Sequence, residues 1–457
     1  MRTPRRWASA RHPVIYEINT WPWLAGLSRA AGAPVDLSAV PEQHWDAIAD
    51  AGFDAVWLMG VWERSPAGAA IALADHDLVQ SFRAALPDWT PADVVGSPYS
   101  IRSYVVDSHL GGREGLAAAR AALAVRDIAL ILDFVPNHVA PDHPWTSEHP
   151  DYFIRDGAAP ALGKDPYFPP WPDVVQLNAF SPALRAEMVH TLGDIADQCD
   201  GVRCDMAMLT INDVFGRTWG ERAGVTPAQE YWPMMIGAVR QMHPDFCFIA
   251  EAYWDMEYVL QEQGFDFCYD KRLYDRLLED DARAVRAHLA ASVAFQERLM
   301  RFAENHDESR LAAITHPARA RAIAVTTLTQ TGARLVHHGQ LEGRSVHLPV
   351  FLGRSPQEEA DVDLAAFYVN LLKMLTNSVF RTGNWSLSEV SDIAGEVSPQ
   401  LMAWCWEGER RWLVVVNLGE TPASGHVGNR YVELDAWNWQ FTDVSPDQPD
   451  DALTWAQ

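Results

Sequence analysis

The sequence GVRCD at residues 201–205 decides the fold, because a short apolar run ends there in a carboxylate and three other segments share the pattern. The other three are IALILD (128–133), CFIAE (247–251) and LMRFAENHD (299–307). A continuous apolar run suits a strand that is buried on both faces, as in a parallel sheet. An unpaired carboxylate is costly to bury, so the four acids are expected at an open edge. The repetition predicts a ring of parallel strands whose C-terminal ends form a common mouth, where active sites of (β/α)8 barrels lie.

Working outward from these segments, the alternation of buried strands and amphipathic helices predicts eight βα units. Such an alternation closes into a barrel or opens into a doubly wound sheet, and the ring of acids favours the α/β fold of a TIM barrel. A Trp-rich loop is expected after the first strand, and a long loop from the second strand to about residue 112. Strands are predicted at 14–18, 55–59, 128–133, 201–205, 246–251, 265–269, 299–303 and 333–337, and helices at 42–51, 113–126, 182–198, 229–243, 274–297 and 317–330.

Two regions depart from this alternation and divide the chain into three parts. Residues 135–178 are rich in Pro, Asp and aromatic residues without a clean periodicity, which is typical of a functional excursion. We therefore predict a barrel at 1–138 and 179–380, with a short inserted subdomain at 139–178. Past residue 380, the segments 401–406, 411–417 and 430–434 are β-rich and are punctuated by Gly, Pro and Asn, so 381–457 is expected to form a small antiparallel β domain.

Composition excludes several classes of partner. The 457 residues are 48% hydrophobic and carry a formal net charge of −25. This charge argues against a nucleic-acid surface and against an anionic membrane surface, but it suits a neutral substrate. The 19 Trp residues give mild support to a carbohydrate ligand. Oligomeric state is left open.

The cysteines and the N-terminus bear on the compartment. Five cysteines form no CxxC pair and no Cys/His ladder, which favours buried thiols in a reducing compartment over disulfides or zinc. Neither a signal peptide nor a transmembrane segment is recognised. A cytoplasmic location is therefore expected.

Carboxylates at the ends of neighbouring strands are suited to glycoside chemistry. Asp205 ends the fourth predicted strand and Glu251 ends the fifth, and Asp307 offers a third acid across the mouth. Retaining cleavage uses two carboxyl groups about 5–5.5 Å apart, one as nucleophile and one as general acid/base. Arg203 lies two residues before Asp205, so both side chains leave the strand on the same face. Its guanidinium is expected to lower the pKa of Asp205, whereas the apolar neighbours of Glu251 are expected to raise the pKa of that acid.

The motifs around these acids resemble the four ordered signature regions of the α-amylase family of retaining glycoside hydrolases and transglycosylases. They are DFVPNH (133–138), GVRCDMAM (201–208), IAEAYW (249–254) and FAENHD (302–307). Weaker flanking likenesses extend the resemblance from about residue 14 to 344: YEINTW (16–21), GFDAVWLM (52–59), GSPYSIRSY (96–104), VVQLN (174–178) and GARLVHHGQLEGR (332–344). A single such motif is weak, but four in order with their strand context are specific.

The resemblance implies a role for each matching residue. Asp205 would be the nucleophile, Glu251 the general acid/base, and Asp307 the acid that grips sugar hydroxyls and stabilises the transition state. The substrate-binding residues would be Arg203, which orients Asp205, with His138, His306 and Tyr99 around the reacting sugar. The family also places a small inserted domain after the third strand and a β-sandwich after the barrel.

Other polar residues of these motifs are expected to have structural roles. Asp133 would brace the loop that delivers His138, and Glu17, Glu63 and Glu342 would be framework or specificity residues. In the family, the residue matching Asn137 often ligates a structural calcium with acids of the inserted domain. Here those acids would be Asp142, Asp151 or Asp173, but no dense acidic loop is present, so a structural calcium is not indicated and no cofactor is required.

One departure from the family leaves the substrate open. Many starch-cleaving members carry a Lys or His shortly after the nucleophile, whereas this chain has MAML at 206–209. The acceptor side is therefore expected to be more apolar, and hydrolysis of small α-glucosides or maltooligosaccharides is favoured over the cleavage of long starch chains. Glycosyl transfer, as transglycosylase or sugar phosphorylase, remains the alternative, and a non-catalytic binding module is a remote one. An aldolase or metal-dependent barrel is disfavoured because no strand-end Lys or His cluster is found.

Overall fold

Eight parallel strands close into a barrel in this computed structural model, which describes residues 11–279, 281–446 and 452–453. Each strand pairs with its neighbours in sequence, and the eighth pairs with the first. The strands are β1 (Val14–Asn19), β2 (Ala55–Met59), β3 (Ala129–Phe134), β4 (Gly201–Cys204), β5 (Cys247–Ala250), β6 (Phe267–Tyr269), β7 (Leu299–Phe302) and β8 (Ala333–His337). The predicted (β/α)8 fold is confirmed.

Alternation along each strand builds two apolar layers. Ile15, Trp57 and Ile131 point into the barrel and form one buried cluster with the inward residues of the other strands. Their outward neighbours, such as Val56 and Leu130, pack beneath the surrounding helices. Because both faces are covered, the strands read as continuous apolar runs in the sequence.

The helices surround the barrel and begin at recognisable caps. The helix Pro182–Ala196, for example, has Pro182 in its first turn and a Ser181 side chain that accepts a hydrogen bond from the Leu184 N–H. The helices predicted through 274–297 are three in number, and the first begins at Lys271. The longer helices are Glu42–Asp50, Gly112–Ala124, Pro182–Ala196, Tyr231–Met242, Lys271–Glu279, Ala282–Leu289, Pro317–Leu328 and Val362–Leu375, and the shorter ones Trp145–Glu148, Asn212–Trp219, Glu257–Glu262, Val293–Gln296, Leu311–Ile314 and Val379–Thr382.

Two predicted loops are wrong. The Trp-rich stretch after β1 is the helix Thr20–Ala31, which ends at Gly32 in the left-handed conformation, φ +67°. The segment between β2 and residue 112 contains the helices Pro66–Ala74 and His76–Ala85, with an antiparallel pair formed by Trp62–Arg64 and Ile101–Val106. The Ala-rich helix Pro66–Ala74 has little apolar periodicity, and the Trp residues and Pro22 favoured a loop over the helix Thr20–Ala31.

The excursion after β3 is built around a small antiparallel sheet. Its strands are His138–Val139, Leu162–Gly163 and Trp171–Gln176, with the last in the centre. A hairpin of Arg155–Asp156 and Ala159–Pro160 lies beside it. The sheet places His138 at its edge, next to the barrel mouth.

The C-terminal region forms two antiparallel sheets. Leu401 and Ala403 face the second sheet, whereas Met402, Trp404 and Trp406 face the barrel helices. The five-stranded sheet contains Asn384–Ser388, Leu401–Glu407, Arg411–Asn417, Trp439–Asp443 and Ala452–Leu453, and the three-stranded sheet contains Ser391–Asp392, Ala423–Val427 and Arg430–Leu434. The antiparallel character of the region is as predicted, while the proposed domain boundaries stay a prediction. Within the described ranges, none of the helices has both the length and the apolarity that a membrane crossing requires.

Candidate active site

Arg203 is the centre of the polar cluster at the mouth of the barrel. Its side chain is 1% exposed, and its Nη1 donates a hydrogen bond to Asp205 Oδ1 at 2.8 Å. Its Nη2 lies 2.7 Å from Glu251 Oε1, and its Nε donates to the Tyr269 hydroxyl at 3.2 Å. Asp133 Oδ1 is 3.7 Å from Nη1. One guanidinium therefore holds the two acids that the sequence singles out.

The strand register explains this convergence. Arg203 pairs with Asp133 of β3 on one side and with Ile249 of β5 on the other, so these three side chains leave the sheet on one face. The ladder continues past the strand ends, where Asp205 N–H donates to the Phe134 carbonyl at 2.9 Å and Glu251 N–H donates to the Cys204 carbonyl at 3.0 Å. Adjacent strands thus present Asp205 and Glu251 side by side.

Glu251 is held on both carboxylate oxygens. It is 3% exposed, its Oε2 accepts from the Met206 N–H, and its Oε1 accepts from the Tyr253 hydroxyl at 3.1 Å. Met206 has a φ of +42°, which an L-residue with a side chain rarely adopts. This conformation turns the chain immediately after Asp205 and aims the Met206 N–H at Glu251.

Asp307 lies across the mouth and is paired with a histidine. His306 Nε2 is 3.1 Å from Asp307 Oδ2 and 2.6 Å from the Tyr99 hydroxyl, and Nδ1 is 2.5 Å from Glu17 Oε1. His306 and Glu17 are buried, but the Asp307 side chain is 44% exposed. Asp307 is therefore the acid of this group that is open to a ligand entering the mouth.

His138 completes the ring from the side of the inserted sheet. Its Nε2 lies 3.9 Å from Asp205 Oδ2, and its ring packs against Trp171 with centroids 5.3 Å apart. Asp133 accepts hydrogen bonds on Oδ2 from the Trp57 indole and the Gly60 N–H, both at 3.2 Å. Asp133 thus lies beneath the site between Arg203 and the end of β2, and its predicted role as a brace for the loop that delivers His138 stays a prediction.

Burial controls the protonation of the central pair. It raises the pKa of Asp205 to about 6, since the attraction of Arg203 offsets only part of the cost of burying the charge. It raises the pKa of Glu251 to about 7, where Arg203 again opposes the rise and the Asp205 charge adds to it. The expected lowering for Asp205 is wrong in net direction, and the expected rise for Glu251 is confirmed. Of the two acids, Asp205 therefore ionises first as pH rises, and Glu251 is the one that keeps its proton to higher pH.

Across the mouth, the pKa values of Asp307 and His306 shift so that both groups stay charged. Burial disfavours the charge on Asp307, but the His306 cation outweighs it and lowers the pKa of Asp307 to about 2. Burial also disfavours the imidazolium of His306, but Asp307 and Glu17 raise its pKa well above the ordinary value. Burial lowers the pKa of His138 to about 3, so this ring is neutral. The site therefore contains one fixed ion pair, one neutral imidazole and one acid pair that titrates near neutrality.

Two of the residues considered as calcium ligands, Asn137 and Asp142, already have hydrogen-bond partners. The Asn137 side-chain oxygen accepts from Gln176 Nε2 at 2.9 Å, and Asp142 accepts from the Ser65 hydroxyl at 2.5 Å. Across the described ranges, no group of three or more His, Cys, Asp or Glu residues could hold a metal ion. Two of the candidate calcium ligands are thus already hydrogen-bonded, and the expectation that no metal is required stays a prediction.

Several contacts at the site escape sequence reasoning. Glu17 contacts His306, and Tyr269 contacts Arg203. In each pair the two residues belong to different strands or loops, and a motif in one segment does not reveal its partner in another. Glu63 instead accepts from Arg102 at 2.9 Å and acts as framework. Of the MAML stretch only Met206 is half-buried, and the other three residues are buried, so the apolar acceptor side that we expected rests on Met206 alone.

Comparisons with known proteins agree with this geometry. No protein-family profile matches the chain. An alpha-1,4-glucan:maltose-1-phosphate maltosyltransferase of Burkholderia pseudomallei is 28% identical over 235 residues, which cover 50% of this chain and 18% of that protein. Alpha-amylase MalA of Haloarcula japonica is 25% identical over 347 residues, which cover 71% of this chain and 48% of that protein. The chain thus spans less than half of the length of these two relatives.

Solved structures share the fold over nearly the whole chain. The maltogenic alpha-amylase AmyB from Thermotoga neapolitana aligns with a TM-score of 0.68 at 20% identity and covers 98% of this chain and 99% of its own. A cyclic alpha-maltosyl-(1→6)-maltose hydrolase from Arthrobacter globiformis aligns with a TM-score of 0.70 at 18% identity and covers 97% and 100%. With the closed barrel and the ordered motifs, these likenesses make the chain similar in sequence and in fold to enzymes of the α-amylase family.

Proposed function

We propose that this protein cleaves α-glucosidic bonds in small α-glucosides or maltooligosaccharides by a retaining, double-displacement mechanism. The observation that carries the proposal is the Arg203 bridge between Asp205 and Glu251 at the ends of adjacent strands. Neighbouring strands lie about 4.8 Å apart, which suits the carboxyl separation of about 5–5.5 Å in retaining glycosidases.

The proposed chemistry runs in two steps. The Asp205 carboxylate attacks the anomeric carbon, the bond from this carbon to the leaving oxygen breaks, and Glu251 donates its proton to that oxygen. Glu251, now ionised, takes a proton from water while the water oxygen attacks the anomeric carbon and releases Asp205. The pKa of about 6 for Asp205 and about 7 for Glu251 suit these starting states.

The remaining residues supply binding and electrostatics. Asp307 is ionised and exposed to the mouth, so it would accept hydrogen bonds from sugar hydroxyls and stabilise the positive charge of the transition state. The neutral His138 would donate to the same sugar, and Tyr99 would pack against its ring. Arg203 keeps both acids in place and stabilises the ionised form of Asp205.

Glycosyl transfer is the second candidate, and one observation favours it. The first curated relative is named a maltosyltransferase, although this chain covers only 18% of that protein. In transfer, an acceptor hydroxyl or a phosphate would take the place of water in the second step. The acids would have unchanged roles.

Product analysis tests both candidates. We expect the purified protein to cleave maltose or maltotriose and to release the α-anomer first, as proton NMR would show. Adding glucose or inorganic phosphate would yield new oligosaccharides or a sugar phosphate if transfer dominates. Release of the β-anomer, or no turnover of any α-linked substrate, would contradict the proposal.

The cellular location is also proposed. All five cysteines are free and buried, which supports a reducing compartment, and we propose the cytoplasm. Cell fractionation with an antibody tests it, and recovery in an extracellular fraction would contradict it.

A further inference from the structure

A second cavity lies beside the barrel, outside its wall. It has a volume of about 840 Å³, within the range of small-molecule sites. The helices Thr20–Ala31 and Glu42–Asp50 and the segment 338–359 enclose it. The stacked rings of Tyr16 and Phe53, with centroids 4.8 Å apart, contribute to its lining, as does the half-buried Trp23. None of the catalytic acids lines this cavity.

Two side chains of the cavity, those of Arg344 and Glu342, have polar atoms without a hydrogen-bond partner within the described part of the chain. Arg344 packs its stem against Gly339, where an added Cβ would lie 2.6 Å from the Arg344 Cδ, but its guanidinium makes no hydrogen bond there. Glu342 Oε2 is buried without a hydrogen-bond partner. Such orphaned groups are costly unless a ligand or water satisfies them. The site thus combines a held cation with a buried free acceptor.

The charges of the cavity indicate a neutral ligand. Glu358 already accepts hydrogen bonds from the backbone N–H groups of Ser345 and Val346 at 2.7 and 3.0 Å. Glu358 keeps its charge in these bonds, so the lining has two guanidinium and three carboxyl side chains, those of Arg29, Arg344, Glu342, Glu358 and Glu359. An anion or a cation would face uncompensated charge of its own sign. A polyhydroxyl compound, which both donates and accepts, would satisfy both signs.

The cavity is separated from the mouth. A gap of about 20 Å³ lies between them, lined by His306 on one side and by His338 and Arg344 on the other. This space holds about one water molecule and cannot pass a sugar ring. The segment 338–359 nevertheless reaches the catalytic side, because His347 Nε2 lies 3.0 Å from the His306 carbonyl oxygen.

We propose that this side cavity is a second saccharide site, which binds a neutral sugar independently of the mouth. The choice of a glucose-based ligand rests on the proposed function, whereas the preference for a neutral polyol rests on the lining alone. A sugar face would pack against Trp23, and its hydroxyls would bond Arg344 and Glu342. The segment 338–359 lines the side cavity and also contacts His306 at the mouth. A sugar bound in the cavity would therefore also stabilise the position of this segment.

Calorimetric titration of the Asp205→Asn protein with maltotriose tests the site without turnover. We expect two binding events. Arg344→Met in this background should weaken one event at least tenfold and leave the other unchanged, and the isosteric Glu342→Gln should do the same. Arg83→Met, on the exposed face of the helix His76–Ala85, is the matched control and should change neither event.

The outcomes separate this proposal from the proposed function. A single event that Arg344→Met and Glu342→Gln both leave unchanged would overturn the side site while the mouth still binds. Two events that are insensitive to both variants would overturn it as well. If the Arg344-dependent event is found but the wild-type protein cleaves no α-glucoside, the side site stands and the proposed function falls.

Discussion

The two ends of the barrel use aspartates in opposite ways. At the N-terminal end, Asp54, Asp200 and Asp266 each precede an even-numbered strand, and each accepts a hydrogen bond from a backbone N–H of the preceding odd-numbered strand, at 2.8, 2.9 and 2.7 Å. Each also has its own arginine partner: Arg381, Arg120 and Arg240, respectively. At the C-terminal end, Asp205 and Glu251 share the single Arg203. At the N-terminal end each aspartate has its own arginine, whereas at the C-terminal end two carboxylates share one arginine.

This difference separates stability from chemistry. A dedicated cation and a backbone donor favour the ionised carboxylate, although at Asp266 burial outweighs both and raises the pKa. Two buried carboxylates around one cation repel each other, and their pKa values rise towards neutrality. Barrel folds place conserved chemistry at the C-terminal end and stability at the other end. The predictions below break or sharpen this contrast.

The largest effect is expected at the mouth. Asp205→Asn or Glu251→Gln should lower kcat by at least roughly 10³-fold, because nucleophile or proton transfer is lost. Steady-state kinetics on maltotriose measures it. The matched variant at the other end is Asp200→Asn, which should keep turnover and lose about 1–3 kcal/mol of stability through its weakened bond to Arg120. An active Asp205→Asn protein would refute the assigned role.

The next largest effect is a loss of stability at the N-terminal end of the barrel. Arg381→Leu leaves Asp54 buried at 0% exposure without its cation and should reduce the free energy of unfolding by about 3–5 kcal/mol. Urea denaturation measures this change. Adding Asp54→Leu should restore part of the loss, because the pair is then replaced by apolar groups. A single variant as stable as the wild type would show that the Arg381 pair is not needed.

The pH dependence of the wild type should report the shared cation. As pH falls through about 6, Asp205 gains a proton and ceases to be a nucleophile, and as pH rises through about 7, Glu251 loses the proton it must donate. The profile of kcat/KM should therefore be bell-shaped, with apparent pKa values that belong to the pair. A flat profile between pH 5 and pH 8 would contradict the coupling.

A smaller effect is expected from Glu17. Glu17→Gln removes the anion beside His306 Nδ1, so the pKa of His306 should fall and its pairing with Asp307 should weaken as pH rises. We expect kcat/KM to drop by about tenfold, more at pH 8 than at pH 6. Glu304→Gln is the control, since Glu304 is equally buried but pairs with Arg310 at 2.7 Å. Equal pH profiles for both variants would show that Glu17 has only a structural role.

The sequence predicts the barrel strands well because their burial on two faces leaves a direct record as apolar runs. β2 and β8 match their predicted bounds, and the strand-end acids meet at the mouth as expected. Of the helices missed after β1 and β2, only the Ala-rich Pro66–Ala74 has a weak amphipathic pattern, and the prediction overlooked the pattern of Thr20–Ala31 and His76–Ala85. Contacts between strands could not be predicted, because the register that brings Arg203 against Glu251 is set by the folded barrel.

Protonation could not be read from the motif either. Placing Arg203 two residues before Asp205 suggests a lowered pKa, but the burial that reverses the sign is a property of the folded mouth. The abundance of Trp was similarly ambiguous. Ten of the 17 Trp residues that the structure describes, among them Trp57, Trp62, Trp232 and Trp406, are buried packing residues, and the other seven, such as Trp23 and Trp171, are half-buried.

The five-stranded sheet has a consequence for how this barrel can be recombined. It covers the helix Pro317–Leu328, whose residues from Ala322 to Leu328 are all buried, and Trp406 donates its indole N–H to the Thr329 carbonyl at 2.8 Å. A helix that is enclosed on every side carries no polar face to offer to water. Expressing the barrel without the sheet would expose this surface and favour aggregation. A chimera with a related protein would therefore have to keep the sheet together with that helix, or redesign the helix first.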